Sequence, residues 1–584
     1  MLIALHTVAI AQNSVSNKNE IVSKATNESI FVHLNNTTLI VGETLHCKLY
    51  TLNPANNTSS KISKIAYVDL VNNENQIVFT NKIYLENGTG QGDFFIPTTI
   101  ETGSYKLIAY TNWMLNKIDN KVNVTDLLLI NPYIVNKKAI SKDSQLQKNQ
   151  TKNSENESAA ENLAKEKSFA LEVNKNSFQK REKVFLKIKS LLPDNFKGSY
   201  SVSIKKINDL PLIQQMSASE FAKLNANKES TNAINDSIRF IPELRGEILS
   251  GIITNIKDPK QVANKNIALS LPGKDFAFKI VKTNQLGKFS FILDKNPNFT
   301  NVIIQVIEND KNDYKIELDK NKGYNNLSEL KFTDEVNLTA DYKNSIEQRS
   351  VANQIENAYY TVKKDSIAAN LKTSPFYHPL EKEYILSDYT KFPSLKETIT
   401  EVLKEVYYRE KDNNYTIGIR DINYDMDYFS EPAMVLVDGL LIQNINELFS
   451  YKTENIYKVS VVPGIYLYGP KAFNGIISFT TKSNDYVTSA NGSSILKTEI
   501  QRPLNKITAF KQDYTNTTKY DRIPDYRYQL LWQPEISLEN PETTISFFTS
   551  DVSGTFEINL EGFTNTGIPV SLKETFEVKD STSN

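Results

Sequence analysis

Along most of the chain, apolar and polar residues alternate with the period of two that marks half-buried strands. Short turn-forming clusters interrupt the alternation. From Ile30 to Asn131 the interruptions are Asn35–Asn36, Asn72–Asn73, Asn87–Gly88 and Glu101–Thr102–Gly103. Strands of that length between such turns predict a β-sandwich over residues 30–131. Its closing strand runs from Gly103 to Tyr110, and Trp113 is a core residue. Leu45, Cys47 and Leu49 form the inward face of one strand.

The same pattern returns downstream. Leu34, Asn35, Leu39, Glu43, Leu45, Lys48 and Leu49 are matched 139 residues later (174 − 35) by Val173, Asn174, Phe178, Glu182, Val184, Lys187 and Ile188. One offset that preserves apolar, acidic and basic positions together indicates an internal repeat, so a second sandwich is expected over 168–240. Residues 132–167 read as a flexible linker, because Ser141 to Lys167 is polar and lacks aromatics. Ala218 to Ser237 reads as a polar excursion from the second sandwich.

Residues 241–335 give a third β unit, opened by Gly246 to Ile253 and continued by the Thr283–Phe291 turn and strand. A partly helical connector follows over 336–392. Leu395, Ile399, Val402, Leu403 and Val406 then predict an amphipathic helix begun by Pro393–Ser394. Within 393–485 the pattern gives a hairpin about Asp438–Gly439 and a helical turn from Ile445 to Phe449. A strand over Ile456, Val459, Val461 and Val462 is stopped by Pro463–Gly464, and the strand Gly475–Thr480 follows the Tyr468–Gly469–Pro470 turn. Residues 486–524 form an irregular connector, and 525–580 a C-terminal sandwich. The expected fold class is therefore mainly β: tandem sandwiches plus one α+β domain.

Composition narrows the function classes. At 584 residues the chain is too long for one core, and about three to five domains are expected. Lys and Arg total 67 against 68 Asp and Glu, which leaves no field for a sequence-independent hold on nucleic acid. Cys47, the single cysteine, excludes an intrachain disulfide and a cysteine-based zinc site, and reads as a buried, inert thiol. The opening MLIALHTVAIAQ reads as the remnant of a secretory signal peptide over 1–11, ending in Ala9–Ile10–Ala11. No cysteine follows it to support a lipoprotein anchor. No later run approaches the ~20 apolar residues of a membrane helix, so no transmembrane segment is expected.

Candidate chemistry is sparse. Asp421, Asn423, Asp425 and Asp427 alternate like the start of a calcium loop, but Met426 and Pro432 occupy the places of its glycine and its bidentate acid. A solvated acidic loop is the better reading. Asp438 has a sufficient cause in its turn. His6, His33, His46 and His378 are the only histidines. None lies near a Ser or Cys nucleophile motif, and His33 and His46 read as cross-strand surface residues. The sequence contains no phosphate-binding glycine loop and no H-E-x-x-H helix. No catalytic, cofactor-binding or metal-binding residue is assigned, no cofactor is implied, and a non-enzyme is expected.

Several stretches resemble known families. Val437-Asp438-Gly439, Ile456 to Val461, Tyr468-Gly469, Ala472 and Asn474-Gly475-Ile476-Ile477 resemble the plug domain of TonB-dependent outer-membrane receptors. The helix from Pro393 and Tyr415 to Asp421 extend that likeness. The roughly hundred residues after Lys482 are too few for the 22-stranded barrel of such receptors, so a plug-like fold without a pore is implied. In that fold Asp438, Gly439, Tyr468, Gly469, Asn474 and Gly475 serve architecture. Leu39 to Leu49, Thr102 to Tyr105 and the stretch from Thr549 resemble macroglobulin-like domains, and 241–335 resembles carboxypeptidase regulatory-like sandwiches. The thioester Cys-Gly-Glu-Gln is absent, since Lys48-Leu49-Tyr50 follows Cys47.

Together the resemblances imply an exported, non-enzymatic scaffold protein of a Bacteroidetes-type outer-membrane system, in the periplasm or at the outer membrane. It would dock to a barrel or transport partner; a protein partner is expected, nucleic acid is not, and no small-molecule ligand is specified. The alternative is a protease-sensing or inhibitory protein with Ser141–Lys167 as bait. An enzyme stands third.

Overall fold

A computed structural model of the chain describes residues 28–116, 122–134, 168–207, 210–226, 240–294, 299–319, 323–324, 326–332, 338–367, 374–420, 431–515 and 522–580. The 1–11 leader, the Ser141–Lys167 stretch, His6, and Asp421, Asn423, Asp425 and Asp427 lie outside them. The protein is mainly β, as the alternation predicts. It divides into two compact units. Unit 1 comprises Met1–Leu244, Tyr324–Ala368 and Pro503–Asn584, and unit 2 comprises Arg245–Gly323 and Ala369–Arg502.

In chain order, unit 1 begins with β1 (Ser29–Leu34), β2 (Thr38–Ile40), β3 (Thr44–Leu52), β4 (Ile65–Asn72), β5 (Ile77–Tyr84), β6 (Thr89–Phe95), β7 (Gly103–Tyr110) and β8 (Asn123–Ile130). Next come β9 (Phe169–Val173), β10 (Ser177–Phe178), β11 (Lys183–Ser190), β12 (Gly198–Lys206) and the helix α1 (Ala218–Ala226). Unit 2 starts with β13 (Glu247–Asn255), β14 (Asn266–Leu271), β15 (Ala277–Lys282), β16 (Lys288–Leu293), β17 (Asn301–Val306) and β18 (Tyr314–Leu318). The chain returns to unit 1 for α2 (Lys343–Ala358) and the short β19 (Ser366–Ile367).

Unit 2 then resumes with β20 (Lys382–Ile385), α3 (Leu395–Glu401), β21 (Val406–Lys411), β22 (Asn414–Ile419), β23 (Met434–Val437) and β24 (Leu440–Leu441). It ends with α4 (Asn446–Phe449), β25 (Ile456–Tyr468), β26 (Lys471–Thr481) and β27 (Ile495–Glu499). Unit 1 closes with β28 (Ile507–Thr508), β29 (Gln529–Ile536), β30 (Glu542–Phe548), β31 (Gly554–Thr564) and β32 (Pro569–Val578).

Unit 1 holds two sandwiches of one topology. The first pairs sheet β1-β3-β6 with sheet β2-β8-β7-β4-β5; the second pairs β9-β11-β30 with β10-β32-β31-β12-β29. Strand for strand these orders coincide, down to the parallel pairs β2–β8 and β10–β32. The 139-residue offset survives at the level of atoms. Asn35 Oδ1 accepts from the His46 amide at 2.9 Å, and Asn174 Oδ1 from the Phe185 amide at 2.9 Å. Glu43 and Glu182 likewise cap the Ile40 and Gln179 amides. The left-handed turn position filled by Gly42 (φ 90) is taken by Arg181 (φ 58) in the second copy.

The strand pairing corrects the expected division of the chain. Residues 168–240 and 525–580 are two halves of one sandwich: β12 lies between β29 and β31, with Val202 opposite Leu560 and Ile204 opposite Ile558. Neither half alone can bury its apolar face; together Leu186, Ile188, Val202, Ile204, Phe556 and Leu560 form one dry core. The chain from 207 to 528 is thus an insertion in the hairpin between the fourth and fifth strands of the second copy. The 486–524 connector is not irregular throughout, since it supplies β27 and β28.

Unit 2 combines a sandwich, β16-β13-β18 over β15-β14-β17-β27, with a five-stranded sheet, β20-β25-β26-β23-β24. The five-stranded sheet shows the expected order of hairpin, helical turn, strand, turn and strand, and recruits β20 from the connector. Two boundaries move. β25 does not stop at Pro463–Gly464: a bulge between Val462 and Ile465, with Gly464 at φ 83, absorbs the dipeptide and pairing continues to Tyr468–Lys471. The helix expected through Val406 ends at Glu401 after its Ser394–Glu397 capping box, because Val406 pairs with Ile419 in the β21–β22 hairpin. Near the ends of unit 2, the buried Glu247 Oε2 and Arg502 Nη1 lie 3.0 Å apart.

Leu560→Ala removes a fully buried side chain facing Val202 and is expected to cost about 2–5 kcal/mol in denaturant unfolding. In hydrogen exchange, β9–β12 and β29–β32 should lose protection together. Protection lost from β29–β32 alone would contradict a single shared core.

Candidate functional site

Of the two histidines expected on a surface, His33 is enclosed and His46 is half-buried. On β1 and β3 the residues pointing away from the first core, Phe31, His33, Lys48 and Tyr50, are covered by the outer face of β12, β29 and β31 and are buried. His33 Nδ1 lies 2.6 Å from Ser201 Oγ, which also lies 2.8 Å from the Tyr50 hydroxyl. Trp532 packs on His33 and stacks on His46, with ring centroids 5.2 and 6.0 Å away. Sequence reasoning missed this Ser–His pair because its members are 168 positions apart.

The pair has the residue types of an activated nucleophile, but both side chains are inaccessible and lie between packed sheets. Burial, with Lys205 and Lys573 nearby, lowers the His33 pKa to about 3, so the ring is a neutral hydrogen-bonding element. Burial alone brings His46 to about 4. The Glu561 carboxyl, buried beneath the first turn of α1, accepts from the Ala218 amide and the Ser571 hydroxyl, and burial pushes it up to about 7. Cys47 is buried in the first core, which pushes its thiol well above the usual range. His378 is half-exposed and meets Glu381 at 2.8 Å.

The residues assigned to architecture sit at turns and bulges of the five-stranded sheet. Asp438, at φ 48 and buried, uses its carboxylate to accept from the Thr481 amide (2.8 Å), the Thr481 hydroxyl (2.6 Å) and the Tyr486 amide (3.2 Å). Gly439 follows at φ 83, where a Cβ would lie 2.2 Å from the Phe276 ring. The Tyr468 hydroxyl donates to the Phe278 carbonyl, Gly469 turns at φ 58, the Asn474 amide donates to the Pro432 carbonyl, and Gly475 stands at φ 77. Each has a local structural cause.

The feature best shaped to hold another molecule is a groove of about 450 Å³ at the β20 edge of this sheet. The chain leaving β20 forms one wall with Leu386, Tyr389 and Phe392. Thr398 of α3 and its C-cap residue Val402 set the back, and the start of β25 supplies Ile456 and Tyr457. Tyr389 and Tyr457 are 43% and 45% exposed, so the lip is aromatic; Lys391, Lys482 and Glu454 ring it with charge. On β20 itself, Tyr384 is buried against Glu405, which also takes Lys382 at 2.6 Å. An apolar floor with an aromatic lip and charged rim is the anatomy of a protein-binding hot spot. Among the described residues no group of three His, Cys, Asp or Glu is placed to hold a metal ion, and no helix is long and apolar enough to cross a membrane.

No family model matches the chain, and no curated protein matches it. Among solved structures it is similar to Escherichia coli alpha-2-macroglobulin activated by porcine elastase, at 8% identity over 95% of this chain and 44% of that one, with a TM-score of 0.24. The native conformation of the E. coli protein gives 9% identity over 95% and 40%, TM-score 0.23. The Yersinia pseudotuberculosis adhesin InvE gives 8% over 50% and 59%, TM-score 0.14. The chain spans less than half the length of the macroglobulins it matches. The architecture above stands on strand pairing, not on these likenesses.

Asp438→Ala leaves three donors without their acceptor and is expected to cost about 1–3 kcal/mol in unfolding experiments. The enclosed titrating groups set the acid response. His33, with a folded pKa of about 3 against 6.5 in the open chain, binds its proton only on unfolding, so stability falls as pH drops from 6.5 toward 3. Glu561, with about 7 against 4.5, acts oppositely and adds stability as pH drops from 7 to 4.5. His33→Gln keeps the hydrogen bonding without the titration, so its stability relative to the parent should rise steadily as pH falls below 6.5. A constant difference across that range would contradict a neutral, enclosed His33.

Proposed function

We propose that the chain is an exported, β-modular scaffold that works by holding a protein partner in the groove beside β20, in the periplasm or at the outer membrane of a bacterium. The groove carries the reading: an apolar, aromatic-lipped recess adjoins a sheet edge. Edge strands offer unpaired backbone groups to an incoming extended segment, and adjacent pockets select its side chains. The plug-like and regulatory-like resemblances of unit 2 and the macroglobulin-like resemblance of unit 1 support a location in the cell envelope. The Ser–His pair enclosed between sheets and the Asp438 turn support a binding role over catalysis, since each group has its bonds taken up by the fold.

A protease-sensing role is the second reading. It is favoured by the position of Ser141–Lys167 in the chain, between β8 and β9, because a cut there leaves the two sandwiches held together by the contacts of His33 and Tyr50 with Ser201. Limited proteolysis separates the readings: a bait in Ser141–Lys167 requires compaction of the remaining domains after cleavage there.

For the scaffold, a photo-reactive residue at Tyr389 should yield one dominant adduct with an envelope protein in cells. That adduct should disappear when Phe392 and Tyr457 are both changed to Asp. The same probe at Lys315, on β18, should give little. Equal adducts from both positions, or adducts unaffected by the double change, would remove the groove as the docking site.

A further inference from the structure

Unit 1 contains a second, chemically different recess. It is a cleft of about 200 Å³ where the β2–β3 turn, the end of β12, the face of α2 and the approach to β29 converge. α2 clasps the turn: Arg349 makes a side-on bidentate pair with Glu43, Nε to Oε1 at 2.6 Å and Nη2 to Oε2 at 2.7 Å. Nη2 also donates to the Thr38 carbonyl at 3.0 Å. Asn353 and Asn357 donate to the carbonyls of Val41 and Gly42.

That arrangement leaves one donor unsatisfied and a second weakly held. Side-on pairing turns Nη1 to the far corner of the guanidinium, and it has no hydrogen-bond partner, although Arg349 is only 3% exposed. A buried donor without a partner costs about 1–3 kcal/mol, so a group that satisfies it is strongly favoured. Lys205 also lines the cleft, and its ammonium meets a single polar atom, Asn36 Oδ1 at 3.4 Å, with no salt-bridge partner among the described residues.

Three further charges of the lining are paired. Arg349 is balanced by Glu43 and Arg527 by Asp525, while Glu356 is balanced by Lys363. Lys206 lies over the Tyr528 ring. Lys205 and Lys206 are the lining cations outside these three pairs, and the orphaned Arg349 donor belongs to the same lining.

We propose that this cleft binds a carboxylate-bearing small molecule or chain end, seated between Lys205 Nζ and Arg349 Nη1. Its two carboxylate oxygens match the two donors, and its charge matches the Lys205 ammonium, which has no salt-bridge partner among the described residues. The volume admits a carboxylate and a few carbons. Independently, burial holds the Lys205 ammonium down to about 8 against the pull of Glu557, with Lys573 and Arg349 adding to the lowering. A bound carboxylate removes that penalty. The site is separate from the β20 groove and does not depend on what that groove holds.

The test titrates the full chain with acetate, with chloride at matched ionic strength as reference and inorganic phosphate as a second arm. The readouts are the amide resonances of Gly42 and Lys206 and the unfolding temperature. The expected result is saturable acetate binding that moves both amides and raises the unfolding temperature. Lys205→Met should weaken it about ten-fold or more, equivalent to about 1.4 kcal/mol, while Lys315→Met leaves it unchanged. If Lys205→Met does not fold, the wild-type amide titration decides. No saturable acetate response in the wild type, or equal binding by a folded Lys205→Met, overturns the site. Phosphate binding more tightly than acetate overturns the assignment to a carboxylate.

Discussion

The second sandwich of unit 1 exists only because β12 pairs on one side with β29 and on the other with β31, across the chain from 207 to 528. Closing a flexible loop of that length costs about 5 kcal/mol in chain entropy on the (3/2)RT ln n scale. Two features reduce that cost. Unit 2 is compact by itself, and Glu247 and Arg502, near its two ends, are joined by a buried ion pair. An inserted domain whose ends meet closes its host's loop in advance, which is why such insertions are tolerated. The remaining strands, β29 to β32, are the last residues of the described chain, so the host core completes only when they arrive.

A second constraint follows from the first. The completed sandwich presents β12, β29 and β31 as a broad outer face, and the first sandwich covers it with β1 and β3. Outer faces carry polar residues, so their union encloses His33, Lys48, Ser201 and Glu561. Each is kept by a partner: Ser201 for His33, the α1 amide for Glu561, and Glu535 at 3.8 Å for Lys48, whose pKa burial lowers to about 8. Such a seam fixes registration between sandwiches and makes stability pH-sensitive, because displaced titrations are stability terms.

The recesses inherit their character from the elements that frame them. The groove beside β20 lies where a sheet edge meets a capped helix, so its floor is the apolar interior and its lip the aromatic residues left over. The unit 1 cleft lies where one helix of the insertion clasps a tight turn, so it is lined by the donors that hold that turn. The apolar groove suits a protein segment and the charged cleft a small anion, with no residue in common.

By itself the sequence determined the fold class, the first sandwich, the repeat and the order of elements from Met434 to Thr481. All of these are written in local periodicity and turn chemistry: alternation about Cys47, Asp438–Gly439 at a hairpin, and a constant offset from Asn35 to Asn174. Local signals carry no information about which distant strands pair. Only the tertiary structure could decide that 168–240 and 525–580 share one core, that β25 runs through Pro463, and that His33 faces Ser201 instead of water. The same holds for both recesses, because Arg349, Lys205, Tyr389 and Tyr457 are unremarkable in sequence and acquire meaning from neighbours far along the chain.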